Sequence, residues 1–255
     1  TIVALHRAVC LAKSNPNARV LLTTFSDALA SALRIKIRRL IYNEPRVSER
    51  LEVHSIGSIG KRLYTLNLGA PQIASAEIVK QLISEASSRT AEHKFSLHFL
   101  VSEWEQVVDA WQLQSWEEYR DVRRLGRKTR LSEEKRVILW SIFEQVMADL
   151  RDRDLLTESK LFTQLANHLS HPEHRPYDYV IVDEAQDISV SQFRFLAALG
   201  AGRANGLFFT GDLGQRIFQQ PFSWKALGID IRGRSATLKI NYRTSHQMRS
   251  QADKL

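Results

Sequence analysis

The sequence predicts an α/β fold, a parallel sheet with flanking helices that is interrupted by an all-helical insertion. Three observations point to it. Residues 19–24 (RVLLTT), 179–182 (YVIV) and 206–210 (GLFFT) are short, largely apolar runs without polar alternation, the pattern of strands buried on both faces. Strand-like and helical segments alternate through residues 1–66, the signature of βαβ units. From residue 75 to about residue 130 the periodicity is helical alone.

Residues 1–11 read as a helix with Ile2, Leu5 and Val9 on one face; nothing caps it, which suggests a chain cut from something longer. Asn15-Pro16-Asn17 is a turn. Beyond the strand at 19–24, Ser26 caps a helix to about Tyr42 whose polar face carries Arg34, Arg38 and Arg39. Residues 51–54 make a short strand and 56–66 a helix. The pattern changes at 67–71 (NLGAP). Helical clusters follow at Ile78/Leu82/Ile83 and Phe95/Phe99/Leu100/Trp104/Val107, and Ser115 with Glu118 spells a capping box. A basic loop at 123–128 closes the insertion. The helix predicted at 132–151 has a broad apolar face of Val137, Trp140, Phe143, Val146, Met147 and Leu150, with Leu139 and Ile142 beside it. Residues 157–170 are a helix ended by His171-Pro172. A helix at 190–199, closed by Gly200, separates the strands at 179–182 and 206–210. The last strand is expected at 237–240, and 245–255 opens a helix with no stop signal, so truncation is expected at this end too.

Composition excludes several classes. With 44% hydrophobic and 25% charged residues the chain is an ordinary globular protein. The lone Cys10 rules out an intrachain disulfide, and no apolar run reaches the length of a membrane span. A cytoplasmic protein is expected. The net charge of +8 is clustered: residues 34–62 hold eight bases against three acids, and 203–243 hold seven against two. Such clustering favours a polyanion partner.

The strand at 179–182 runs straight into Asp183 and Glu184. Two acids at the carboxyl end of a parallel strand need a cation, and hydrated Mg²⁺ is the usual one; a solvated acidic turn is the competing reading. DEAQD (183–187), GDLGQRIF (211–218) and LKINYRTS (238–245) follow in order, and TTFSDALA (23–30) and VHSIG (53–57) precede them. Five motifs in this order and spacing resemble motifs II, III, IV, Ia and Ib of superfamily 1 helicases of the UvrD/Rep type. The resemblance covers most of the chain and is patchy in the helical insertion.

It implies a RecA-like first motor domain at 1–66 and 131–234, an insertion subdomain at 67–130, and the start of a second motor domain at 235–255. It also implies an ATP- and Mg²⁺-dependent DNA translocase acting 3′ to 5′ on single-stranded or partly duplex DNA. Asp183 would bind Mg²⁺, Glu184 would polarise the attacking water, Gln215 would sense the γ-phosphate, and Arg243 would reach the transferred phosphoryl group from the second motor domain. Gln186 and Asp187 read as structural ties. Thr1 resembles the threonine that ends this family's phosphate loop, which would make it a Mg²⁺ ligand; the accident of where the chain begins is the alternative. No G-x-x-x-x-G-K-[ST] occurs, so the chain as it stands is expected not to hydrolyse ATP at a useful rate.

Thr24, Phe25, His54 and Phe218 align with nucleic-acid contacts, with core packing as the competing reading for the two phenylalanines. The family's Thr-Phe-His is here Glu52-Val53-His54, and its Trp after motif III is here Gln220, with Trp224 as a substitute. A non-hydrolysing nucleic-acid-binding or regulatory module and an RNA-directed motor are the rival functions.

Overall fold

The computed structural model describes residues 1–90, 93–122, 124, 131–212 and 233–237. The expected strand at 237–240 and helix at 245–255 lie outside these, apart from Thr237. The chain divides into a compact unit, Thr1–Phe222, and a second, Ser223–Leu255.

The first unit is built on a four-stranded, wholly parallel sheet in the order β2-β1-β3-β4: β1 (Val20–Thr24), β2 (Leu51–Ser55), β3 (Tyr179–Val182) and β4 (Leu207–Phe209). This is the RecA-like α/β sheet the sequence predicts. Register follows the pleat. Val20, Leu22, Leu51, Val53 and Ile181 turn to one face, where α1 (Ile2–Ser14), α2 (Asp27–Leu40) and the short α3 (Pro45–Ser48) close over them. Helices α4 (Ile56–Leu68), α10 (Glu158–His168) and α11 (Val190–Gly200) belong to the packing around the other residues of the strands. There Phe193 of α11 stacks on Phe209 of β4, their ring centroids 5.0 Å apart. Gly60 is what lets α4 approach α10, since a Cβ there would overlap the Phe162 ring.

In α1 the buried stripe is Ala4, Leu5, Ala8, Val9, Leu11 and Ala12, and Ile2 is 71% exposed. Three alanines allow the helix to lie close on the sheet, which rotates the buried stripe away from Ile2. Ser26 caps α2 as expected, accepting from the Leu29 N–H. Arg34, however, is not on the free polar face: its Nε donates to Val53 O at 2.9 Å, covering part of the outer edge of β2.

The helical segment leaves and rejoins the sheet unit at one place. Ile73 and Leu156 form a parallel bridge, with Leu156 N–H donating to Gln72 O (2.8 Å) and Ala74 N–H to Leu156 O (2.9 Å). Between them lie α5 (Ala76–Arg89), α6 (Leu97–Glu103), a π-helical turn (Trp104–Val108), α7 (Asp109–Trp111), α8 (Trp116–Asp121) and α9 (Glu133–Asp152). These share a core of their own that includes Leu82, Ile83, Leu100, Trp104, Tyr119, Ile142, Phe143 and Val146. Each large side chain buried there contributes roughly 1.5–3 kcal/mol. α9 joins this core through Leu139, Ile142, Phe143 and Val146, whereas Val137, on the opposite side of the helix, is 50% exposed. The expected capping box of α8 is half made. Ser115 accepts from Glu118 N–H, but the Glu118 carboxylate reaches past it to Gln114 N–H, at 2.6 Å. The complete box belongs to Ser189 and Gln192 at the start of α11.

One ion pair in the helical core is fully enclosed. Glu103, wholly buried, takes a two-pronged bond from Arg124 (2.7 and 2.6 Å) and a third from Tyr119 OH (3.0 Å). Arg124 is 6% exposed. Removing the acid takes a two-pronged carboxylate from a buried guanidinium, so Glu103→Ala is expected to lose roughly 3–5 kcal/mol. A urea titration reads this as a lower midpoint with an unchanged slope.

Candidate functional site

Every strand of a parallel sheet ends on the same side, and beyond those ends open α/β folds collect their ligands. Here that edge gathers Thr24 and Phe25 after β1, Asp183 and Glu184 after β3, and Thr210 and Gly211 after β4. α1 returns antiparallel to β1, so its first residue lies at this edge as well.

Asp183 prolongs β3, its N–H donating to Thr23 O at 2.8 Å. Its side chain is only 3% exposed, which a carboxylate tolerates only when donors surround it. Thr210 Oγ1 is one, 2.7 Å from Oδ1, and the backbone nitrogen of Thr1 lies 3.1 Å from the same oxygen. Thr1 does not use its hydroxyl to cap α1; the hydroxyl donates instead to Glu184 Oε1 at 3.5 Å. Three of the residues singled out in the sequence, Thr1, Asp183 and Glu184, therefore meet.

Glu184 stands in the left-handed region (φ 56°, ψ 47°), which costs a residue with a Cβ on the order of 1–3 kcal/mol. Gln186 holds it there. Its Nε2 donates to Glu184 Oε2 at 2.7 Å while its Oε1 accepts from Asp212 N–H at 3.1 Å. The buried amide thus ties the turn after β3 to the turn after β4. Gly211 makes room for it, since a Cβ there would stand 2.6 Å from Gln186 Oε1. Burial, with the neighbouring Glu184 charge, raises the Asp187 carboxyl above the usual range.

This donor set is hard and oxygen-rich. It suits Mg²⁺, which takes one or two carboxylates and completes its shell with waters and phosphate oxygens. Among the described residues, no group of three His, Cys, Asp or Glu side chains could hold an ion by itself. Asp183 and the Thr1 hydroxyl are the groups that fit.

The residues aligned with nucleic-acid contacts separate. Thr24 is fully buried and its hydroxyl has no partner among the described residues. Phe25 is 50% exposed at the carboxyl edge, an aromatic surface outside the core. His54 sits on edge strand β2, with Nε2 3.2 Å from Glu52 Oε2 and 3.4 Å from Arg62. Glu52 is the hub of that group, accepting from Arg19 (2.7 Å), Arg62 (2.9 Å) and Tyr177 OH (3.0 Å). Burial alone would raise its pKa. The hydrogen bonds from Arg19, Tyr177 and His54 and the Arg62 charge outweigh it and hold the carboxyl down to about 2. Gln215, Phe218, Trp224 and Arg243 lie outside the described residues.

Sequence reasoning missed Thr210 and Gly211. A hydroxyl ending one apolar run, in a chain where another ends in an acid, is the signal that could have found the first. The need for glycine at 211 arises only from the approach of Gln186, a contact between residues distant in sequence.

The family model described as "UvrD/REP helicase N-terminal domain" matches residues 1–224. No curated protein matches the chain. No helix among the described residues is long and apolar enough to cross a membrane.

Because the folded-state pKa of Glu52 is depressed, its stabilising contribution is complete above its ordinary value of 4.5 and fades as pH falls towards about 2. Thermal melts across that window should show Glu52→Gln to be less stable than wild type at neutral pH, with the gap narrowing on acidification.

Proposed function

The chain belongs to the UvrD/Rep helicase family, and from that premise we propose that it forms the nucleotide-binding motor portion of an ATP-dependent DNA translocase. The observation that carries the reading is the convergence of Thr1 with Asp183 and Glu184, distant in sequence, within 3.1–3.5 Å at one edge of a parallel sheet. Asp183 and the Thr1 hydroxyl would hold the Mg²⁺ of the bound nucleotide, whose charge offsets that of the phosphates. Glu184 accepts the proton of the attacking water, and the left-handed backbone that Gln186 maintains presents its carboxylate at the site. Gln215 senses the terminal phosphate and Arg243 acts on it from the second motor domain.

Phe25 offers the stacking surface for single-stranded DNA at the same edge, with Phe218 as its counterpart, and travel is 3′ to 5′. Thr24 and His54 flank the strand's backbone. In the described structure Thr24 is buried and His54 is held by Glu52, so each must shift to make that contact. We place the insertion subdomain between the paired crossings Ile73 and Leu156, wider than 67–130, because α9 shares its core. The first motor domain is then residues 1–72 and 157–234, and the second begins at 235.

Glu184→Gln in the full-length protein is expected to lower nucleic-acid-stimulated ATP hydrolysis by roughly 10²–10⁴-fold with nucleotide binding retained. Undiminished hydrolysis would remove Glu184 from the mechanism, and stimulation by RNA rather than single-stranded DNA would redirect the motor to RNA.

A further inference from the structure

We propose that the outer face of α2 and α3 carries a second contact surface for single-stranded nucleic acid, remote from the carboxyl edge of the sheet. The inference rests on the nucleic-acid partner proposed above and adds a place the motifs do not mark. α2 starts at the carboxyl edge and descends antiparallel to β1, so its 14 residues carry the chain about 21 Å towards the opposite end.

At that far end Tyr42 is 85% exposed, the most exposed of the large hydrophobic residues described. It borders an open depression lined by Arg38, Ile41, Tyr42, Pro45 and Ser48. Ile35, Arg38 and Arg39 occupy an i, i+3, i+4 stripe on the exposed side of α2, leading to Tyr42, and Arg46 follows on α3.

The basic residues of this region fall into two groups. Arg34, Arg50 and Arg62 are engaged internally with Val53 O, with Asn15 O and Arg46 O, and with Glu52. The side chains of Lys36, Arg38, Arg39 and Arg46 make no hydrogen bond or ion pair among the described residues. Of the nearby acids, Glu44 is paired with Lys13, leaving Glu49 as the counter-charge. Unpaired guanidinium groups around an exposed aromatic ring in a shallow depression are what a single strand requires: cations for successive phosphates and a face on which a base stacks. A duplex hides its base faces, so an exposed ring among the cations favours a single strand.

The test is equilibrium binding of labelled oligothymidylate to the protein, followed by fluorescence anisotropy across a salt series. Tyr42→Ala is expected to weaken binding by about 5- to 100-fold. The triple variant Arg38→Gln/Arg39→Gln/Arg46→Gln should reduce the log–log salt slope by about 2, roughly 0.7 for each single-strand phosphate that an arginine no longer neutralises. All four positions are exposed, and unchanged thermal melts would confirm intact folds. Phe25→Ala reports separately on the carboxyl edge. If it weakens binding while affinity and salt slope survive in both patch variants, the second surface is overturned and the motor reading stands. Failure of the wild-type protein to bind the oligonucleotide overturns both. Patch-dependent binding of polyglutamate with no patch effect on the oligonucleotide would make the surface a protein-docking face and overturn the proposal.

Discussion

The arrangement at the carboxyl edge depends on burying the carboxyl group of Asp183 where water scarcely reaches. An acid so buried must be met by donors brought from elsewhere in the chain, and here they come from α1 and from the end of β4. That requirement constrains the fold around it. It sets β4 against β3 and brings the start of α1 to the strand ends. It also places Gln186 where its amide can bind the turns after both strands. A bound cation would meet the same electrostatic demand.

Much of this was legible in the sequence, for identifiable reasons. Three of the four sheet strands among the described residues, β1, β3 and β4, lie at apolar runs, whereas the edge strand β2 (LEVHS) alternates between buried and half-buried residues. Helix starts at Ser26 and Ser115 were legible because a cap is a local bond between residues three apart. What periodicity cannot report is which of two apolar neighbours turns inward. Ile2 and Val137 satisfy the helical pattern yet face outward, because the alanine-lined contact of α1 and the deep packing of Leu139 and Ile142 decide the rotation of each helix. The pairing of Asp183 with Thr210, and the close approach of Gln186 to Gly211, were hidden for a related reason: both join segments distant in sequence.

Charge is similarly ambiguous until it is placed. Eight bases between residues 34 and 62 suggest a single polyanion-binding stretch. In the folded protein some of them serve the fold, covering the outer edge of β2, holding the turn between α1 and β1 or pairing with Glu52. The remainder face outward, and it is those that bear on a partner. Composition supplies the total; only the three-dimensional placement shows how much of it is left over.

The parallel bridge between Ile73 and Leu156 has a consequence for the history of such chains. The outgoing and returning segments run side by side, so the chain enters and leaves the helical module at one place, although α7 also packs on α10 and α11. A host of this shape can acquire, exchange or shed the intervening module by recombination while its own register stays undisturbed. Lineages can therefore diversify the helical lobe and leave the carboxyl edge of the sheet as it was.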